Sequence, residues 1–180
     1  MDFQYHVPTR IIFGTGKLNT LHEQAFPGRK ALLVISAGKA VKDHGYLARV
    51  EKELNLASID YTIFDKVKAN PIDIQVMEGA ALAQAEGCDF VIGLGGGSSI
   101  DTAKAIAFLA PNGGELWDYM PGGSGKGLEA PNKPLPVAAI TTTSGTGSEV
   151  GPWFVITKEE TYEKLGFGGP DLFPCFSIVD

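Results

Sequence analysis

Hydrophobic residues along the chain occur in two patterns that alternate. Short apolar runs, which predict buried strands, cover residues 31–35, 59–64, 90–94 and 137–140. The segments between and after them have apolar residues three and four positions apart, which predicts helices with one buried face. These faces consist of Leu47, Val50 and Leu54, of Ile72, Val76, Ala80 and Ala83, and of Ile100, Ala103, Ala107 and Ala110. Strands that alternate with helices need right-handed crossovers, so the pattern predicts an α/β fold with a doubly wound, mostly parallel sheet.

Weaker patterns occupy the rest of the chain. Residues 10–13 predict a strand before a Gly14-Thr15-Gly16 turn, and residues 17–26 predict a first helix. Residues 111–136 are rich in Gly and Pro, which predicts a flexible surface loop with little regular structure. Short strands are expected at 154–157 and 164–167. We expect residues 1–180 to form a single domain.

Composition narrows the classes of partner. The chain has 180 residues, 44% of them hydrophobic and 20% charged, which fits one globular domain. Its apolar runs are shorter than a bilayer span and its start lacks the basic residues of a signal peptide, so a cytoplasmic protein is expected. Cys88 and Cys175 have no metal-ligand spacing and are expected to be packing residues. The net charge is -6 and the sequence has no basic cluster, so it predicts no positively charged surface for nucleic acid or an anionic membrane. This favours a small-molecule ligand.

A glycine-rich turn follows the predicted strand at 90–94. Gly95-Gly96-Gly97-Ser98-Ser99-Ile100-Asp101 leads into the helix whose apolar face begins at Ile100. Glycines without Cβ allow close approach of a bulky group, and helix N-terminal amides suit a pyrophosphate. The turn departs from the G-x-G-x-x-G fingerprint, because Ser98 stands where the last glycine would be. The sequence favours phosphate binding here, with an ordinary capped strand-to-helix turn as the alternative.

A second turn, at residues 141–148, follows the strand at 137–140. It has six hydroxyl side chains in eight residues, interrupted by Gly145 and Gly147. The carboxyl ends of parallel strands share one edge of a sheet, so this turn and the glycine-rich turn are expected to line one nucleotide cleft. A solvated Ser/Thr turn is the alternative.

Several kinds of catalytic site have no support in the sequence. The three histidines, His6, His22 and His44, form no ligand pair and are expected at the surface. Neither H-E-x-x-H, a closely spaced Cys/His set nor a G-x-S-x-G turn occurs, so zincin, zinc-finger and α/β-hydrolase functions are not indicated. No catalytic acid or base is assigned.

With both turns considered, the sequence resembles the N-terminal half of the iron-containing (group III) alcohol dehydrogenases. The resemblance covers nearly the whole chain and rests on residues 13–16, Asn70-Pro71, the segment 95–104 and the segment 142–150. It implies a Rossmann-like nucleotide-binding domain without the family's C-terminal all-helical domain, and an NAD(P)-dependent alcohol dehydrogenase or aldehyde reductase as the complete enzyme.

The resemblance also implies a role for each residue of a dinucleotide site. Gly96, Gly97 and Ser98 would hold the pyrophosphate, and Asp101 would lie near the nicotinamide. Thr142, Thr143 and Thr146 would contact the adenosine and diphosphate. Val155 and Lys164 would close over the cofactor, and Asn70 would lie close to it.

The end of the second strand bears on the choice between NAD and NADP. NAD-preferring members of the family commonly have an Asp there, whereas this chain has Ile35-Ser36-Ala37-Gly38-Lys39. Ser36, Gly38 and Lys39 can accept a 2′-phosphate that an Asp would repel, so NADP is expected in preference to NAD. The alternative is that Lys39 only begins a helix.

In this family one Asp and three His of the helical domain bind a divalent metal, Fe or Zn, that acts on the alcohol oxygen. None of these ligands can be assigned here, because the family's helical half begins just beyond the position of Asp180, so the chain alone is expected to be inactive. A small alcohol or aldehyde substrate and a homo-oligomer are expected. Two other hypotheses stay open at this point: a related NAD-using lyase of the dehydroquinate synthase type, and a non-catalytic nucleotide-binding module.

Overall fold

The strands and helices follow the predicted alternation. A computed structural model describes residues 2–4 and 6–180. The strands are β1 (Arg10–Phe13), β2 (Lys30–Ser36), β3 (Asp60–Val67), β4 (Phe90–Gly95), β5 (Val137–Thr141), β6 (Trp153–Thr157), β7 (Lys164–Gly168) and β8 (Phe176–Val179). The helices are α1 (Ala40–Asp43), α2 (Tyr46–Leu56), α3 (Asp73–Ala85), α4 (Gly97–Leu109) and α5 (Leu116–Tyr119), with 3-10 helices at Lys17–Glu23 and Pro170–Leu172.

Within the described residues, six strands form one sheet in the order β1-β8-β5-β4-β2-β3. Every neighbouring pair in it is parallel. Strands β6 and β7 form a separate antiparallel hairpin. The doubly wound α/β prediction is therefore confirmed.

Each face of the sheet has its own apolar core, because alternate side chains of a strand point to opposite faces. Leu32 and Val34 of β2 belong to one cluster, which α3 and α4 cover. Leu33 and Ile35 belong to the other, which α2 and the 3-10 helix Lys17–Glu23 cover. Helices on both faces leave the carboxyl edge of the sheet as the open position for a ligand.

Helix α4 is the central helix of the fold. It is buried on nearly every side, because it packs against β4, α3 and the hairpin strand β6. Its close contact with β4 depends on Gly93, where an added Cβ would lie 2.9 Å from the Ile100 Cα. The glycine thus sets how near α4 lies to the sheet.

Three expectations are wrong in part. The predicted helix at 17–26 is a 3-10 helix that ends at Glu23. The 111–136 segment is mostly irregular as predicted, but it contains α5, begun by a reciprocal Glu115–Asp118 capping box, and Leu116 and Trp117 are buried. That part is packed because its apolar side chains join the core formed with α3 and α4.

The third correction concerns the cysteines. Cys88 is buried as expected of a packing residue, whereas Cys175 is exposed. Cys175 lies just before β8, and its backbone N–H and C=O, rather than its side chain, make its contacts with Val137 and Arg10. The three histidines are exposed, as expected.

No helix in the described part of the chain has both the length and the apolar character needed to cross a membrane.

Candidate functional site

The two turns singled out in the sequence meet at the carboxyl ends of β4 and β5, which are neighbours in the sheet. The Thr142 N–H donates to the Gly95 carbonyl at 3.0 Å. An added Cβ on Gly96 would lie 3.0 Å from Thr143 Oγ1, and one on Gly97 would lie 3.0 Å from Thr146 Cγ2. The glycines therefore let the two turns pack directly on each other.

The N-terminus of α4 opens at the same place. Gly96 is its N-cap residue, and no side chain among the described residues caps the helix. The first amides of a helix carry partial positive charge and lack partners within the helix, so they suit an anionic group. An uncapped helix N-terminus beside a turn of hydroxyl side chains can bind a phosphate.

A cleft of about 400 Å³ lies over this helix end. Among the residues singled out from the sequence, those that line it are Asn70, Gly97, Ser98, Asp101, Thr146, Val155 and Lys164. Gly147, Ser148, Gly151 and Trp153, all from the segment after β5 or the start of β6, complete its wall together with Pro71. Seven of the thirteen candidate residues are thus brought together in one cavity.

The other six candidates lie outside this cavity. Gly96 and Thr143 form the contact between the two turns. Thr142 lines a separate pocket of about 210 Å³ together with Arg49 and Asp180. Ser36, Gly38 and Lys39 lie at the carboxyl end of β2, next to β4 in the sheet, and the Lys39 side chain is exposed.

The hairpin forms the wall opposite the glycine-rich turn. Asp101 Oδ2 accepts a hydrogen bond from the Val155 N–H at 3.1 Å, which joins α4 to β6. Lys164 Nζ donates to Asn70 Oδ1 at 3.2 Å. Asn70 has φ 53°, a left-handed conformation that asparagine tolerates better than most residues. The cleft is therefore held from both sides by hydrogen bonds between distant segments.

Two charged groups of α4 have shifted pKa values, Asp101 in the cleft wall and the buried Lys104. Burial raises the pKa of the Asp101 carboxyl, against the lowering effect of hydrogen bonds from Ser148 and Val155. Burial lowers the pKa of the Lys104 ammonium to about 8, although the negative charges of Asp101 and Glu149 act to raise it. Both groups are partly desolvated, so their charge states depend on the packing around α4.

Lys104 is the residue that sequence reasoning missed. It is the last residue of the 95–104 motif, and the sequence alone gives it no role. Its signal was a cation among apolar residues, between Ala103 and Ala105 on a helix whose sequence is apolar on most sides. A buried lysine needs hydrogen-bond acceptors. Here the acceptors come from a different segment that packs on the helix, so the sequence around Lys104 does not indicate them.

The described residues contain no group of three or more His, Cys, Asp or Glu side chains able to hold a metal ion. The family metal therefore has no fitting ligand set in this part of the chain. The cleft does offer an uncapped helix N-terminus beside the side chains of Ser98 and Thr146, a set of groups suited to a phosphate.

Comparisons with known proteins agree with this geometry. The family model described as "Iron-containing alcohol dehydrogenase" matches residues 8–180. A probable NADH-dependent butanol dehydrogenase of Bacillus subtilis is 37% identical over 99% of this chain and 45% of its own length. A 1,3-propanediol dehydrogenase of Klebsiella pneumoniae is 37% identical, with the same two coverages. The crystal structure of an NADH-dependent butanol dehydrogenase A from Thermotoga maritima superimposes with a TM-score of 0.91 at 34% identity, over 99% of this chain and 44% of that one.

The chain spans less than half the length of these relatives, and it matches their N-terminal part. The structural match extends over the complete sheet, since it covers 99% of this chain. This chain belongs to the iron-containing alcohol dehydrogenase family.

Proposed function

We propose that these residues form the dinucleotide-binding part of an NAD(P)-dependent alcohol dehydrogenase or aldehyde reductase. The observation that carries the proposal is the cleft of about 400 Å³ over the uncapped N-terminus of α4, which is lined by Gly97, Ser98 and Thr146. Relatives named as butanol and propanediol dehydrogenases support a small alcohol or aldehyde as the substrate of the complete enzyme.

The proposed contacts follow the position of each residue. Gly96, Gly97 and Ser98 bind the pyrophosphate through the helix N-terminus. Asp101 faces the nicotinamide side of the cleft, while Val155 and Lys164 close over the cofactor from the hairpin. Thr142, Thr143 and Thr146 are assigned to the adenosine and diphosphate region, and Asn70 lies close to the nucleotide.

When bound, the nicotinamide ring supplies the hydride chemistry. The residues of this chain bind and orient the dinucleotide and shield it with the hairpin. We propose that the 180 residues alone do not oxidise alcohols, because the family's metal ligands belong to a part of the enzyme that these residues do not include. An NAD(P)H absorbance assay with butanol or 1,3-propanediol and added Fe²⁺ or Zn²⁺ tests this, and turnover by the chain alone would contradict it.

We further propose that the site prefers NADP to NAD. No carboxylate follows β2, and Lys39 offers an exposed cation near the end of that strand. Relatives named as NADH-dependent are a reason to test the preference directly. An exposed contact between an ammonium and a 2′-phosphate is expected to favour NADPH about fivefold, equivalent to about 1 kcal/mol.

Calorimetric titration of the chain with NADPH and NADH, at low and moderate salt, measures this preference. Lys39→Ala is expected to weaken NADPH binding about fivefold and to leave NADH binding unchanged, because only NADPH has the 2′-phosphate. Lys52→Ala, which removes an exposed cation from α2, is the matched control and should change neither affinity. Equal affinities for the two dinucleotides would refute the preference while leaving the cleft intact, whereas binding of neither would refute the proposed function.

Self-association is a further expectation. β1 is an edge strand of the sheet, and its Ile11 and Phe13 side chains are 50% and 77% exposed. Exposed apolar side chains on an unpaired strand edge favour association with a second copy. Light scattering coupled to size exclusion should show a mass that rises with concentration, and Phe13→Lys should reduce it. A monomer of constant mass from micromolar to millimolar concentration would contradict this expectation.

A further inference from the structure

Lys104 has an unusual position for a charged side chain. It lies in the middle of α4 with no exposed surface. Its Nζ donates to three backbone carbonyls, those of Ser148 and Gly151 at 2.6 Å and that of Trp153 at 3.0 Å. Three acceptors match the three N–H bonds of an ammonium, so the charged form is fully hydrogen-bonded.

The three carbonyls belong to the wall of the cleft. Ser148, Gly151 and Trp153 all line the cavity, and Ser148 Oγ lies 3.4 Å from the position that a Cβ on Gly97 would occupy. The same segment leads into β6, whose Val155 N–H donates to Asp101. One buried ammonium therefore ties the 148–153 segment to the helix whose N-terminus faces the cleft.

The charged groups around Lys104 come from three segments. Asp101 lies one turn earlier on α4, and Glu149 lies in the segment after β5; both favour the ammonium. Lys164 of β7 acts on Asp101 across the cleft. Strands β4, β5 and β6 contribute no ionisable side chains. Lys104 is thus the positive centre of a cluster with Asp101 and Glu149.

Loss of one proton would disturb this arrangement in a defined way. A neutral amine has two N–H bonds and a lone pair, so it can serve two of the three carbonyls and must repel the third. A buried carbonyl without a donor is costly, and the 148–153 segment would move to find water or another partner.

We propose that Lys104 is a positioning residue whose ammonium holds the 148–153 segment in the geometry that binds the dinucleotide, so that dinucleotide binding is coupled to proton uptake at this lysine. The proposal rests on the dinucleotide-binding function proposed above. Lys104 touches no ligand itself; it acts through the carbonyls of Ser148, Gly151 and Trp153.

The lowered pKa of Lys104, about 8, brings this coupling into an accessible range. Well below this pKa the ammonium is present and affinity is full; as the pH rises through the pKa, the affinity falls. The contribution of Lys104 to the free energy of unfolding changes with pH in the opposite direction. Between about pH 8 and the ordinary pKa of 10.5, the unfolded chain binds more protons at this site than the folded chain does. This lysine therefore makes the free energy of unfolding rise with pH in that range. If Lys104 only supported the fold, affinity and stability would change with pH in the same direction. Opposite changes therefore indicate a positioning role.

The test is calorimetric titration of the chain with NADH from pH 6.5 to 9.5, in buffers of different ionisation enthalpy. NADH is used because it lacks a 2′-phosphate that titrates. The dissociation constant of the wild-type chain for NADH should be constant below pH 7.5 and about tenfold larger at pH 9.5. A tenfold loss of affinity is expected for one lost hydrogen bond to a charged group. Binding at pH 8.5 should take up a fraction of a proton.

Two substitutions remove the ammonium. Lys104→Met keeps much of the length and lacks donors, and Lys104→Gln is a milder change that keeps two N–H bonds. Both should bind NADH about tenfold more weakly at pH 7, without proton uptake and without a pH dependence. Lys164→Met removes a different ammonium, one that lines the cleft, and should weaken binding while keeping the pH dependence.

A second measurement needs neither a variant nor a cofactor. Amide hydrogen exchange of residues 147–155, corrected for the intrinsic effect of pH, should show lower protection at pH 9 than at pH 7. Unchanged protection, or an NADH affinity of the wild-type chain that is flat from pH 6.5 to 9.5, would overturn the proposal, as would a wild-type pH dependence in both Lys104 variants. If NADH fails to bind at every pH, the proposed function is refuted, and the exchange measurement still decides the role of Lys104.

Discussion

Gly97→Val should weaken the binding of NADH and NADPH about a hundredfold, because it removes the approach of a phosphate to the N-terminus of α4. A Cβ at this position would lie 3.0 Å from Thr146 Cγ2 and 3.4 Å from Ser148 Oγ, so the two valine methyls would push the hydroxyl-rich turn out of its place beside the helix N-terminus. Each hydrogen bond lost from a helix amide to a phosphate is worth about 1.5–3 kcal/mol. Calorimetric titration measures the loss directly.

The matched control for this change is Gly169→Val. Gly169 has an extended backbone, with φ -178°, and no atom lies within 4 Å of the position of its Cβ. Valine fits such a site without strain, so dinucleotide affinity should remain that of the wild type. Thermal unfolding of both variants distinguishes a blocked site from a damaged fold, and Gly97→Ala provides a milder version. Wild-type affinity in a folded Gly97→Val chain would show that the pyrophosphate does not bind at this turn.

Features encoded within one short segment were predicted well. The glycine-rich turn needed only a strand, three glycines and a helix in succession, and β2, β4 and β5 each contain a continuous apolar run. Local chemistry also indicated that the turns at the ends of β4 and β5 belong together, since parallel strands place their carboxyl ends on one edge. The position of the cleft could therefore be predicted from the sequence.

Features that depend on distant contacts were not predicted. Strand β8 is four residues long and contains Ser177, a polar residue that is tolerated in the buried sheet because its hydroxyl donates to the Glu149 carbonyl. The pairing of β8 with β1 joins Arg10 to Phe176, 166 positions apart, and no local pattern specifies it. Lys104 was missed for the same reason, because its acceptors lie 44 to 49 residues later in the chain.

The position of α4 gives a second large effect, on stability. Gly93→Ala would place a methyl group 2.9 Å from the Ile100 Cα and 3.1 Å from the Ala103 Cβ. The nearest atom belongs to the helix backbone, so no side-chain rotation relieves the contact and α4 must move away from β4. Overpacking of this kind costs about 1–3 kcal/mol, and we expect the upper end. Urea denaturation should show that loss in the free energy of unfolding, and the melting temperature should fall by roughly 6–12 °C for a chain of this size.

Gly166→Ala on β7 is the control for Gly93→Ala, since it makes the same chemical change in another strand. Its Cβ would meet Phe154 O and Val155 Cγ2 at 3.7 and 3.8 Å, which are ordinary contacts. Because both changes reduce the entropy of the unfolded chain equally, the difference between them isolates the contact with α4. Displacement of α4 also shifts its N-terminus, so Gly93→Ala should lose dinucleotide affinity although Gly93 does not line the cleft. Equal stability of the two variants would mean that the distance between α4 and the sheet is set elsewhere, and the cleft geometry would then not depend on Gly93.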